Sequence, residues 1–152
     1  DESGKGRVVV NQVSEILEEK GGEVLKIAAD ASVFDAVQLM VAMNVGSLLV
    51  TEGDEIAGIV TERDYLRRVT LEGRTDKETP VAEIMSSPLV VVTPETPIDE
   101  CMAVMTDRRI RHLPVVAEGD VVGVVSIGDL VKFKSKQQTF EVEYLTRYIT
   151  AG

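Results

Sequence analysis

Two places in the chain set a hydroxyl three residues before a carboxylate at the end of a glycine-started apolar run. They are Gly58-Ile59-Val60-Thr61-Glu62-Arg63-Asp64 and Gly123-Val124-Val125-Ser126-Ile127-Gly128-Asp129. A hydroxyl and a carboxylate at this spacing can do one of two things. They can close a helix capping box, each side chain satisfying the other residue's backbone N–H. They can also present acceptor oxygens to a ligand beside the free N–H groups of a helix start. Ser32–Asp35 and Thr96–Asp99 show the spacing too, but neither follows a glycine-started strand pattern. That context sets Thr61–Asp64 and Ser126–Asp129 apart as candidate binding pairs.

Other reactive groups are sparse. There is one histidine, His112, and one cysteine, Cys101, so neither a disulfide within the chain nor a cysteine-based metal centre can form. Cys101 sits in the apolar helical pattern around Cys101-Met102-Ala103-Val104-Met105 and reads as a small buried hydrophobe. No nucleophile elbow or glycine-rich phosphate loop occurs, so no catalytic residues and no enzyme activity are expected.

The elements that must position these groups repeat. Gly58 and Gly123 lie 65 positions apart, and the same shift superposes Val33 on Ile98, Met40 on Met105 and Val50 on Val115. Val13 to Leu17 answers Val81 to Met85 at a slightly different shift. An internal duplication of this kind creates two like halves with a cleft between them. In the first copy, Val13–Glu19 reads as a helix and Val24–Ala28 as a strand. Ser32 opens a second helix, which Gly46 is expected to stop. Ser47–Thr51 and Ile56–Thr61 form a hairpin around Glu52-Gly53-Asp54-Glu55, and a helix from Glu62 to about Leu71 closes the unit. The charged stretch 72–80 reads as a linker. The second copy runs in the same order: a strand at Val90–Val92, a helix with Pro97 at its first position, a hairpin around Ala117-Glu118-Gly119-Asp120, and a helix from Ile127 to Lys134. A last helix, Gln138–Ile149, would set Phe140, Tyr144, Leu145 and Tyr148 on one face. The expected division is 8–71 and 81–135 for the repeats, with residues 136–152 as a terminal helix.

Composition narrows the partners. Twenty-six acidic against sixteen basic residues give a net charge of −10, which repels phosphate backbones and argues against nucleic acid. No apolar run approaches the ~20 residues needed to span a bilayer. Aromatic residues make up 4% of the chain, so the core must be mostly aliphatic. The basic side chains are unevenly placed. Arg109, Arg111 and His112 correspond to Asn44, Gly46 and Ser47 at the 65-residue shift, and Arg63 corresponds to Gly128.

The repeated element order, with its Gly-apolar-apolar-[Thr/Ser]-x-x-Asp junctions, resembles the cystathionine-β-synthase-type (CBS) domain. Two tandem copies form a Bateman module, and the likeness runs from about Val13 to Lys134. Arg109-Ile110-Arg111-His112-Leu113-Pro114-Val115 is similar to a strand signature of such modules. The resemblance implies an α/β fold of two β-α-β-β-α repeats related by a pseudo-twofold and packed through their sheets. It also implies non-catalytic binding of an adenosine ligand: AMP foremost, or ADP, ATP, NADH or S-adenosylmethionine. Thr61 with Asp64, and Ser126 with Asp129, would hold the ribose, since a carboxylate can accept from both cis hydroxyls. Arg63, Arg111 and His112 would meet phosphate, the last two serving the Asp64 site, and Val90 would lie against adenine.

Such a module would act as a nucleotide-responsive regulator of an unidentified partner protein, through a ligand-dependent angle between its halves. The alternative is a scaffold with empty clefts. A homodimer is expected from the family's packing, with Met40, Met43, Val104 and Met105 offered as apolar surface. The chain starts at Asp1 without methionine and reads as trimmed, processed or engineered. The compartment expected is the cytoplasm, or a mitochondrial or plastid matrix after loss of a transit peptide.

Overall fold

The computed structural model describes residues 11–137. In chain order the elements are α1 (Val13–Lys20), β1 (Lys26–Ala28), α2 (Val33–Met43), β2 (Ser47–Glu52), β3 (Glu55–Thr61) and α3 (Glu62–Tyr65). They continue with α4 (Ile98–Arg108), β4 (His112–Ala117), β5 (Asp120–Ser126) and helix α5 at 127–137. The described residues are mixed α/β with two sheets, and the chain divides into two compact units. One runs from Glu23 to Val90; the other joins the described residues up to Gly22 with those from Val91. The expected tail helix Gln138–Ile149 lies outside the described residues.

In the Glu23–Val90 unit, β1 pairs in parallel with β2, and β2 antiparallel with β3. The β2–β3 hairpin closes on Gly53-Asp54, with Gly53 at φ +62°, a conformation suited to glycine. Val50 faces Gly58 and Thr51 faces Ile56, so Ala57 is an extra, bulged residue that bends the strand. Helix α2 covers the sheet through Val33, Ala36 and Met40, all buried. Ser32 caps it by accepting from the Asp35 N–H at 3.1 Å. The helix ends at Asn44, in the left-handed region at φ +55°, two residues before the expected glycine stop. Asparagine tolerates that conformation, so the turn is complete before Gly46.

The last helix of this unit departs from its expected form. The closing helix is α-helical only over Glu62–Tyr65 and then widens into a π-turn at Leu66–Thr70. The widened turn buries Val69 while leaving Leu66 and Leu71 exposed. The charged stretch 72–80, between the two repeats, packs against α2. Asp76 and Thr79 accept the first N–H groups of α2 (Phe34 and Val33) through their backbone carbonyls, and the buried Thr79 hydroxyl donates to the Thr75 carbonyl at 2.6 Å. Lys77 lies over the Phe34 ring, and Arg74 pairs with Glu83.

The second unit is built on the same plan. The β4–β5 hairpin turns at Glu118-Gly119, both at positive φ, as a two-residue turn between twisted strands requires. Val122 is bulged as Ala57 is. Helix α4 ends at Arg109, φ +57°, the counterpart of Asn44. Pro97 is the N-cap residue of α4 rather than its first helical residue. Thr96 turns back instead, its hydroxyl accepting from the Thr93 N–H at 3.0 Å. The expected strand Val90–Val92 shrinks to one parallel bridge, Val92 to Val115. Its bonds are Val92 N–H to the Pro114 carbonyl and Val116 N–H to the Val92 carbonyl. The reason is Pro114. Leu49, its counterpart, donates its N–H to Leu25 and extends the β1 ladder; proline has no N–H to do so.

The compact units do not follow the repeat boundaries. Helix α1, from the first repeat, lies in the unit of the second hairpin, where Val13 N–H bonds Thr96 O. The matching segment of the second repeat, a 3₁₀ turn at Val81–Glu83, lies in the unit of the first hairpin, where Val81 N–H bonds Ala31 O. The motif glycines make room for these segments. A Cβ on Gly58 would fall 2.6 Å from the Ser86 carbonyl oxygen and 2.9 Å from the Met85 sulfur, and one on Gly123 would fall 2.7 Å from Leu17. Met40 and Met105 are 4% and 3% exposed. They belong to the interior, contrary to their expected place on an outer surface, because each sits on the inward stripe of its helix. Cys101 is fully buried, as expected, and burial pushes its thiol up to about 11.

Candidate functional site

Both hydroxyl–carboxylate pairs stand at a strand–helix junction. Asp64 is a buried carboxylate at the start of α3. Its Oδ2 accepts from the Thr61 N–H at 3.0 Å and the Thr61 hydroxyl at 3.1 Å, and the Asp64 N–H donates back to the Thr61 hydroxyl oxygen at 3.2 Å. Its other oxygen, Oδ1, accepts from the Ser86 hydroxyl at 3.2 Å. Ser86 is held there by an antiparallel bridge to Ile59, each residue's N–H bonding the other's carbonyl. The junction is thus a capping box with a third donor brought in by the segment behind Gly58.

Asp129 repeats the box. Its Oδ2 accepts from the Ser126 N–H at 2.8 Å, and its own N–H donates to the Ser126 hydroxyl oxygen at 3.1 Å. The donor from outside the box differs. The ammonium of Lys20, from the end of α1, donates to Asp129 Oδ2 at 2.7 Å and to the Val124 carbonyl at 2.9 Å. Val124 is the counterpart of Ile59, so Lys20 supplies with one charged group what Ser86 supplies with an N–H and a hydroxyl. Burial pushes the Asp129 carboxyl up, but the Lys20 and Ser126 hydrogen bonds outweigh it and hold the group below the usual carboxylate range.

The flanking cations fall as follows. The Arg111 carbonyl accepts the Ile127 N–H, the first of α5, at 2.8 Å, and His112 pairs with Ser126 across the β4–β5 ladder. This register brings both residues to the junction that carries Asp129. Burial lowers the His112 pKa, Asp129 opposes that, and Lys20 and Arg111 reinforce it. Arg111 is exposed at the surface, and so is Arg63, which precedes Asp64 on α3. Val90 is half-buried and lies outside the single bridge at Val92.

Sequence reasoning missed Ser86 and Lys20, the donors from outside each box. The signal lay in the unequal shift. Leu17 and Met85, which face the two motif glycines, are 68 positions apart rather than 65. The first repeat therefore has three more residues between this segment and the following helix, a span that includes Lys20-Gly21-Gly22.

Comparison with known proteins agrees with this architecture. The family model for the CBS domain matches twice, at residues 13–70 and 81–136. A CBS domain-containing mitochondrial protein of Arabidopsis thaliana, CBSX3, is 42% identical over 149 residues, covering 92% of this chain and 72% of the relative. A solved structure of a protein with CBS domains from Burkholderia ambifaria is 48% identical at a TM-score of 0.78, covering 80% of this chain and 92% of that one. A hexameric CBS-CP12 protein from bloom-forming cyanobacteria is 34% identical at a TM-score of 0.74, covering 82% of this chain and 68% of that one. Among the described residues, no helix is long and apolar enough to cross a membrane. With two family matches spread over both repeats and a glycine-backed carboxylate at each strand–helix junction, this chain belongs to the CBS-domain family as a tandem pair.

Proposed function

We propose that the protein is a non-catalytic regulatory module that binds an adenine nucleotide, AMP foremost, and passes that binding on to a partner protein. The observation that carries this reading is the duplicated junction. Each unit sets a restrained carboxylate, Asp64 or Asp129, beside the opening N–H groups of a helix and behind a glycine-started strand. A fixed carboxylate suits the two hydroxyls of a ribose, and a helix start suits an anion. Thr61 and Ser126 complete the ribose contacts. Arg63, Arg111 and His112 are the cations for phosphate, and Val90 offers apolar surface to adenine.

The same hydrogen bonds supply a route for coupling. A ribose hydroxyl that bonds Asp64 Oδ1 must share or displace the Ser86 hydroxyl, and so acts on the segment bridged to β3. Any partner that senses that segment is linked to nucleotide concentration by the same free energy.

Self-association accompanies this reading. Exposed Val41 and Leu66 border a shallow groove of about 360 Å³ on the Glu23–Val90 unit, floored by Met40 and Tyr65, with exposed Met43 on the same helix. The hexameric state of the CBS-CP12 relative supports a homodimer or a larger assembly here.

The test is a calorimetric screen of AMP, ADP, ATP, NADH and S-adenosylmethionine against the intact chain. Saturable binding of at least one adenosine compound, lost in the Asp64→Ala/Asp129→Ala double variant, is the expected result. Absence of binding to any of them overturns the reading in favour of a scaffold.

A further inference from the structure

Ser86 and Lys20 hold equivalent places, one neutral and one charged. In the Glu23–Val90 unit, the Ser86 N–H bonds the Ile59 carbonyl at 2.8 Å, and its hydroxyl bonds Asp64. In the other unit, the Lys20 ammonium bonds the Val124 carbonyl at 2.9 Å and Asp129 at 2.7 Å. The Lys20 side chain is exposed, but the backbone that carries it is held on both sides. Leu17 packs where Gly123 lacks a Cβ, and Gly22 passes so close to β5 that a Cβ would meet the Val122 carbonyl oxygen at 2.8 Å. These two contacts, one on each side of Lys20, fix the end of α1 against the strand that leads to Asp129.

An ammonium has three donors, and two are used here. The charge balance also differs between the sites. The carboxylate of Asp129 is neutralised by Lys20, with Arg111 and His112 close enough to act on the same group of charges. On Asp64 the Thr61 N–H and the Thr61 and Ser86 hydroxyls, all uncharged, take the places that Lys20 and the Ser126 N–H hold on Asp129.

We propose that Lys20 is the specificity-determining residue of the Asp129 site, making it selective for phosphate-bearing nucleosides over neutral ones. The proposal rests on the nucleotide-binding reading above. Lys20 removes the repulsion that a bare carboxylate would exert on a nearby phosphate, and its third N–H is available to a ligand oxygen.

The experiment isolates the Asp129 site in an Asp64→Ala background and titrates AMP and adenosine by calorimetry, with and without Lys20→Met. AMP is expected to bind at least about tenfold more tightly than adenosine, the size of one charge-assisted contact. Lys20→Met should collapse that ratio, and Lys20→Arg should retain it. Melting curves of both Lys20 variants report whether the unit still folds, and the Arg variant keeps the test valid if the Met variant does not. An unchanged ratio in Lys20→Met, or a lost ratio in a folded Lys20→Arg, overturns the proposal while leaving nucleotide binding intact. So does a silent Asp129 site in a protein whose Asp129→Ala variant still binds AMP. Failure of the intact chain to bind either ligand overturns the nucleotide reading, and this proposal with it.

Discussion

Asp64 takes three hydrogen bonds on two oxygens, from the Thr61 N–H, the Thr61 hydroxyl and the Ser86 hydroxyl. Replacing it therefore does more than remove a ligand contact. Asp64→Ala leaves those donors without their acceptor in a buried setting and should lower stability by about 1–3 kcal/mol, more than the ~1 kcal/mol of an ordinary lost cap. It should weaken nucleotide binding by a similar amount. Denaturant melts and calorimetry on the one variant separate the two losses. At the other junction the sensitive group is His112. Its folded pKa lies below the ordinary 6.5, mainly through burial, so near that pH the unfolded chain binds the extra proton more readily. Stability should therefore fall as pH drops below 6.5, and His112→Gln should flatten this part of the profile. Asp129 adds a second, more acidic loss. Its folded pKa lies below 3.8, so its contribution is present above that value and disappears as pH falls through the folded pKa. Melting temperatures between pH 8 and pH 3, with and without His112, test both windows.

At the scale of elements, the two motif glycines are not equivalent. A methyl on Gly58 would strike the backbone oxygen of Ser86, which is fixed by its bridge to Ile59, whereas a methyl on Gly123 would strike the tip of the Leu17 side chain. Gly58→Ala should cost about 1–3 kcal/mol, as overpacking against a rigid neighbour does. Gly123→Ala should cost less, because Leu17 can change rotamer. Equal losses in denaturant melts would contradict this. The glycines also show where the sequence was readable. The repeated hairpins, helices α2 and α4, and both hydroxyl–carboxylate pairs were legible because each is a local pattern within about a dozen residues. The segment exchange was not, since Leu17 meets Gly123 and Val13 bonds Thr96 at separations that periodicity does not encode. Ser86 and Lys20 were missed for the same reason. The loss of the Val90–Val92 strand was readable in principle, through the missing N–H of Pro114, but only once its partner strand was known.

For the whole molecule, self-association should depend on the exposed face of α2. Val41 is 75% exposed, so Val41→Glu should leave the fold of its unit intact and move the protein toward monomer in light scattering. An unchanged assembly would direct attention away from this face. Nucleotide binding is decided by titrating AMP calorimetrically into the intact chain and into the Asp64→Ala/Asp129→Ala double variant shown to be folded by circular dichroism. Saturable heat from the intact chain that disappears in the folded double variant is the result predicted here. Equal heat from both proteins, or none from the intact chain with any adenosine compound, would contradict it.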